Sequence, residues 1–352
     1  MKVEVNRAAA PPAMFSPRVQ PGVAYLHKAL GERAGLLLDE LTEINGRLTD
    51  KNYSRAVPAS RNISFTFSGQ VVPPLVVVRP GEIGRALSFY EVSINHLESE
   101  RYRNRYADSF TGFLVLAQDP GRRVLSYLNN YLLVVKPNGK MVMIADDHTH
   151  AAYAFGLARH LRAVPDNLVL FHADEHRDNV ICGISENEMG PYRAERITLS
   201  RLAYCCKNAV EIDNYLDFSC RSGFLRPEDI NYYLTENLGK RAAPAYSARS
   251  NMLRTGKIGL LGSLADDIKQ ARAGGAGAFL NLDLDLFAFL HDPFFPQEKK
   301  QELAGITEGQ VLAPLLEAAH LADFVFIATS PDYFCVPVRT ISRLVRKIVD
   351  AA

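Results

Sequence analysis

Leu168-Val169-Leu170-Phe171-His172-Ala173-Asp174-Glu175-His176-Arg177-Asp178 passes from an apolar, strand-like run straight into alternating carboxylates and imidazoles. Two other stretches make the same passage: Met143-Ile144-Ala145-Asp146-Asp147-His148-Thr149-His150 and Leu280-Asn281-Leu282-Asp283-Leu284-Asp285-Leu286-Phe287. In an open α/β sheet, ligands bind outside the carboxyl ends of the strands, so three such passages belong on one rim. In extended chain, residues i, i+2 and i+4 share a side. That spacing predicts that Asp174, His176 and Asp178 aim together, and that Asp283 and Asp285 do likewise. Alone, Asp146-Asp147-His148 reads more readily as a turn or a helix cap than as a site. Asp283 and Asp285 inside an apolar run have no comparable structural explanation.

Working outward, strands are expected at 140–145, 168–173, 277–286 and 323–329. Helices are expected at 150–163, 226–238, 263–273, 307–321 and 337–349. Apolar strands alternating with helices predict an α/β fold with a mainly parallel sheet covered on both faces. Ser263 with Asp266, and Thr307 with Gln310, supply helix-capping chemistry. Pro137-Asn138-Gly139 between two apolar runs reads as a hairpin. Upstream, residues 22–47 and 81–99 carry helical periodicity and 62–78 reads as strands. The division expected is an N-terminal α+β extension, 1–125, packed on a core of 126–352. Within the extension, Arg101-Tyr102-Arg103-Asn104-Arg105-Tyr106 reads first as a solvated helix end, with a peptide- or RNA-contacting patch as the alternative.

The 352 residues carry a net charge of +1 and are 47% hydrophobic, which suits a globular chain and excludes a strongly basic nucleic-acid binder. No apolar run is long enough for a membrane-spanning helix. The first residues show no continuous apolar stretch of a secretory signal. The five cysteines have no CxxC spacing. A cytoplasmic protein with neither nucleic-acid nor membrane partners is the expectation.

Four aspartates converging on one rim would repel one another, and burying them ionised is costly unless cations neutralise them. Two divalent cations cancel the charge. Carboxylates favour Mn or Mg and imidazoles shift the choice toward Mn, Fe or Zn; two Mn²⁺ are the favoured expectation, about 3.5–4 Å apart, with a bridging water or hydroxide.

In their order along the chain, His148, then Asp174-x-His176-x-Asp178, then Asp283-x-Asp285 resemble the metal ligands of the ureohydrolase (arginase and agmatinase) superfamily. The similarity extends to Phe171–Asp178, Asn281–Phe287 and Ala328-Thr329-Ser330-Pro331. It is greatest to a divergent branch that includes peptide arginases of ribosomal peptide natural-product biosynthesis. It covers roughly residues 130–335.

The resemblance implies a three-layer α/β/α fold. One Mn²⁺ would bind His148, Asp174, Asp178 and Asp283, and the other Asp174, His176, Asp283 and Asp285. A hydroxide shared by the metals would attack the guanidinium carbon of arginine, giving ornithine and urea, with Asp178 shuttling the proton. The substrate implied is an arginine-containing peptide, recognised with help from the N-terminal extension, and a homo-oligomer is an accompanying expectation.

Two departures stand out. Phe326–Asp332 lacks the glutamate that holds the guanidinium in arginases. Asp332 is the nearest carboxylate, either a substitute partner or a loop residue. The loop after Asp178 lacks the arginase shuttle histidine, and its ionisable residues are Glu186, Glu188 and Arg193. Among the spare histidines His150, His172 and His291, His150 is the first choice for proton transfer, being two residues from a presumed ligand. Glu211–Tyr215 reads as cleft lining or as a surface loop, and Ser330-Pro331 as a strand terminator. A one-metal zinc amidohydrolase of the deacetylase type, or a non-catalytic metal-binding scaffold, are the competing readings.

Overall fold

A computed structural model describes residues 23–46, 65–67, 70–72, 75–88, 91–93, 123–125, 128, 130–208, 210–238, 240–241, 256–292, 295–331 and 336–352. Its centre is an eight-stranded sheet of β1 (Leu75–Val78), β2 (Tyr131–Val135), β3 (Met141–Ala145), β4 (Leu168–Asp174), β5 (Ile230–Leu234), β6 (Lys257–Ile258), β7 (Gly277–Asp283) and β8 (Phe324–Ala328). The spatial order is β6-β5-β4-β7-β8-β3-β2-β1. Every neighbouring pair is parallel except β2 and β3, which form the antiparallel hairpin expected at Pro137-Asn138-Gly139. Gly139 takes φ 81 there, a conformation open to glycine at no steric cost.

Strand alternation sends successive side chains into two separate apolar layers. From β3 and β8, Met141, Met143, Ala145, Phe324, Phe326 and Ala328 face one layer; Val142, Ile144, Val325 and Ile327 face the other. The first layer is closed by α1 (Val23–Leu30), α2 (Arg33–Gly46), α4 (Ala151–His160), α5 (Leu199–Asn208) and α6 (Tyr215–Ser222). The second is closed by α3 (Ile83–Ser88), α7 (Leu264–Ala273), α8 (Glu308–Leu321) and α9 (Val338–Ala351). The molecule is therefore an α/β protein with a mostly parallel sheet between helical layers. β1 pairs with β2, and Leu26, Leu30 and Leu37 join the first layer, so these parts of residues 23–88 share the core of the later strands. The basic-aromatic segment 101–106 lies outside the described residues, as does the 126–127 junction.

The sequence expectations needed several corrections. Residues 226–238 are not a helix: Ile230–Leu234 is β5, laddered to β4, with Tyr232 and Tyr233 buried in opposite layers. The spacing of its apolar residues fits either period, and pairing with a fully buried neighbour decides it. The 22–47 helix breaks at Gly31, where φ is 59. The 81–99 helix stops at Ser88, and Glu91–Ser93 pairs antiparallel with Arg123–Leu125. Ser263 does not cap α7; its hydroxyl donates to the Leu260 carbonyl and to Asp267. Thr307 and Gln310 do form the reciprocal capping box on α8. No described helix is long and apolar enough to cross a membrane.

Two lysines of the β2–β3 hairpin tie it to the helices of the opposite layer. Lys136 Nζ donates to the carbonyls of Val349 (2.9 Å) and Asp350 (2.8 Å) at the end of α9. Lys140 Nζ donates to Ala319 and His320 at the end of α8. The final carbonyls of a helix have no partner within it and carry its negative end, which favours an ammonium there, although burial opposes the charge and pushes Lys140 down to about 8. Lys140→Met should lower unfolding free energy by about 1–2 kcal/mol, read as a lower urea midpoint at unchanged slope.

Candidate metal centre

The four central strands β4, β7, β8 and β3 end side by side, and every pair among these neighbours is parallel, so their carboxyl ends form one rim. The three acidic stretches all emerge there. The strands stop earlier than i, i+2 alternation requires: β4 ends at Asp174 and β7 at Asp283. Alternation is therefore not what gathers the side chains. An aspartate at or just past each strand end instead folds the chain over itself, accepting from the N–H two residues on. His176 N–H donates to Asp174 Oδ1 at 2.6 Å, Asp285 N–H to Asp283 Oδ1 at 2.9 Å, and Thr149 N–H to Asp147 Oδ1 at 2.9 Å. One local motif at three strand ends turns His176, Asp285 and His148 inward.

The two imidazoles divide the aspartates into overlapping sets. His148 Nδ1 lies 2.8 Å from Asp174 Oδ2, 2.9 Å from Asp178 Oδ2 and 3.4 Å from Asp283 Oδ2. His176 Nδ1 lies 3.0 Å from Asp285 Oδ2 and 3.6 Å from Asp174 Oδ1. Asp174 belongs to both. All four aspartates and His148 are buried, whereas the His176 side chain is 48% exposed and faces a cavity of about 600 Å³. Asp178 reaches His148 from a left-handed backbone, φ 46, which is unfavourable for a residue other than glycine. Such a conformation persists only where its surroundings enforce it.

His172, in the middle of β4, is fully buried behind the aspartates. Its Nδ1 meets Asn281 Nδ2 at 3.2 Å and the Tyr215 hydroxyl at 3.3 Å, and the Asn281 amide also donates to Tyr215 at 2.6 Å. An amide nitrogen only donates, so Nδ1 accepts and the ring proton sits on Nε2. Nε2 faces Asp174 Oδ2 at 3.5 Å and the His176 carbonyl at 3.3 Å. Sequence reasoning missed Asn281 and Tyr215 as supports, although an asparagine inside an apolar strand was a visible signal.

His150 is buried, with Nε2 2.9 Å from Asp146 Oδ1 and Nδ1 3.0 Å from the Tyr131 hydroxyl. Both ring nitrogens are thus engaged in holding the turn that carries His148, and His150 does not line the cavity. His291 pairs with Glu308, on α8. Asp332 lies outside the described residues. Ile212 and Asp213 line the cavity, while Tyr215 is buried beneath the site.

Donor atoms of His148, His172 and Asp174 lie within 4.8 Å of one another, as do those of Asp174, His176 and Asp285. Asp146, Asp147 and His150 form a third such group, but its polar atoms cap the turn at Thr149 and hold the ring of His150. Among the described residues, every ion pair of Asp174, Asp178, Asp283 and Asp285 is to a histidine. Four buried carboxylates with no lysine or arginine among these partners are a donor set that fits divalent cations.

Without cations, protons make up the charge. Burial, then the nearby Asp174, pushes Asp178 up to about 7. Burial raises Asp283 to about 6 against the pull of His148. Burial alone would lower both of these histidines, yet Asp283 and Asp174 hold His148 well above its usual value, and Asp174 and Asp285 hold His176 up at about 12. Burial also opposes ionisation of Asp174, but His148 beside it prevails and keeps it well below the usual range. His172, desolvated, falls to about 4 and is neutral at neutral pH.

The sign of the resulting pH dependence follows. Asp178 and Asp283 keep protons in the fold that the unfolded chain releases near pH 4, and His148 and His176 keep theirs past about 6.5. Each contribution is complete below the unfolded value and lost as pH rises through the folded one. Asp174, held low, adds slope only below about pH 4, and His172, held at about 4, opposes the trend between about pH 4 and 6.5 but is one group against four. Chelator-treated protein should therefore unfold at lower urea at about pH 8 than at about pH 5. Mn²⁺ binding should release protons and tighten over the same range, measured by calorimetry in buffers of different ionisation enthalpy.

No family model matches the chain, and no curated protein matches it. Several solved structures are similar to it in part. Proclavaminate amidino hydrolase from Streptomyces clavuligerus shows 15% identity over 60% of this chain and 65% of that one, with a TM-score of 0.33. A hypothetical agmatinase from Burkholderia thailandensis shows 13% identity over 61% and 59%, with a TM-score of 0.36. Agmatine ureohydrolase of Thermoplasma volcanium shows 13% identity over 61% and 63%, with a TM-score of 0.35. The chain thus spans less than two thirds of the length of each of these three structures.

Proposed function

We propose that this protein is a Mn²⁺-dependent hydrolase of the guanidino group of arginine within a peptide, forming ornithine and urea. The observation that carries the reading is the division of four buried aspartates between two imidazoles with Asp174 common to both sets. His148, Asp174, Asp178 and Asp283 would hold one cation, and Asp174, His176, Asp283 and Asp285 the other. When bound, such a pair supplies a water acidic enough to act as a nucleophile at neutral pH.

The remaining work falls to the chain. Asp178, whose Oδ2 meets His148, has Oδ1 to take the proton of the attacking water and return it to the leaving nitrogen. Val180, Ile212 and Leu234 give the cavity an apolar wall for an aliphatic stem. Asp213 on the same wall, and Asp332 after β8, are the carboxylates proposed to hold the guanidinium. A peptide is favoured over free arginine by the mouth of the cavity. Besides His176, the cation on the described wall is Arg177, and it is bound to Glu236 at 2.6 Å. A free α-carboxylate would have to displace that pair.

Mn²⁺-loaded protein should convert an arginine-containing peptide to its ornithine form with equimolar urea, followed by mass spectrometry, and act far more slowly on free arginine. Asp283→Asn should cut turnover by at least about 100-fold while leaving the metal-free fold intact by circular dichroism. Retained turnover in that variant, or no conversion of either substrate by metal-loaded wild type, would refute the reading.

A further inference from the structure

Ser330 follows β8 by two residues and is 1% exposed. It has φ 39, so with Asp178 it is one of two residues at the rim, among the described residues, that hold a left-handed backbone without being glycine. That conformation costs of order 1–3 kcal/mol and needs an enforcing environment. The environment comes from β3. The β3–β8 ladder continues past the strands: Thr329 N–H donates to the Ala145 carbonyl at 3.0 Å, and Ser330 N–H to the Asp146 carbonyl at 2.7 Å. The Thr329 hydroxyl adds a bond to the same Ala145 oxygen at 3.2 Å. Thus held, Ser330 donates its Oγ–H to Asp283 Oδ2, while Asp283 Oδ1 accepts the Asp285 N–H at 2.9 Å.

Asp283 is accordingly gripped from two strands, one oxygen by the turn of its own chain and the other by the serine of β8. We propose that Ser330 is a positioning residue whose hydroxyl sets the orientation of the Asp283 carboxylate for divalent-cation binding. The proposal rests on the metal-centre reading above. It gives a reason for a strained serine at a strand end where a turn alone would be served better by glycine or asparagine. Its consequence is specific: the hydroxyl matters to the metal and not to the fold, because the turn is held by backbone bonds that do not involve Oγ.

The test uses the full-length protein and two variants. Ser330→Ala removes the hydroxyl and keeps the backbone constraint; Ser330→Gly removes the hydroxyl and relieves the constraint. Metal-free samples are compared by thermal melting, and Mn²⁺ is then titrated by calorimetry. Both variants are expected to fold, the glycine variant melting no lower than the alanine one. Both should bind Mn²⁺ about 10–100-fold more weakly than wild type. Wild-type affinity in either folded variant would overturn the proposal and leave Ser330 as a turn residue. Weakened binding together with no turnover of arginine in wild type would support the positioning role while refuting the hydrolase reading. Wild-type protein that binds no Mn²⁺ would overturn both.

Discussion

Four ionisable carboxylates buried within a few ångströms of one another are the constraint around which this molecule is arranged. Asp174, Asp178, Asp283 and Asp285 stand at or just past the ends of strands that are mostly buried and apolar. Like charges so placed either take up protons or attract cations. In the chain alone, His148 and His176 answer this by holding protons, and Asp178 and Asp283 by resisting ionisation. Both responses yield to a divalent ion, because metal ligation demands the deprotonated forms.

The scaffold makes that arrangement affordable by covering every strand of the rim. β7 and β8 insert between β4 and β3, so all the acidic stretches come from neighbouring parallel strands. Helices on both faces keep these strands dry, and the lysines of the β2–β3 hairpin fasten the ends of α8 and α9 behind them. Precision is then added by short-range bonds: aspartates that accept from the N–H two residues on, and two left-handed residues that no relaxed loop would choose. Beneath, the His172–Tyr215–Asn281 network joins β4, α6 and β7 directly under the shared Asp174.

The acidic stretches, their place at strand ends, and the sheet's mainly parallel character were legible in the residues themselves. An apolar run ending in Asp-x-His-x-Asp needs no partner to be recognised, since the period of the run and the type of its last residues are local facts. So were the hairpin at Gly139 and the cap at Thr307. β5 was not legible, because Ile230, Tyr233 and Leu234 suit a helical and an extended period alike until β4 supplies the ladder. His150 shows the same limit. Proximity in sequence to His148 says nothing of direction, and the turn points its ring toward Tyr131 and Asp146.

What the sequence alone determined is the inventory: which side chains can carry charge or ligate a cation, and that they follow buried strands. What only the tertiary structure decided is their pairing. That Asp174 serves both histidines, that Ser330 reaches Asp283, and that Arg177 is bound to Glu236 depend on bonds between strands and loops far apart in the chain. Such contacts are set by strand order and register, which arise from burying two apolar faces at once and leave no local trace in the residues they bring together.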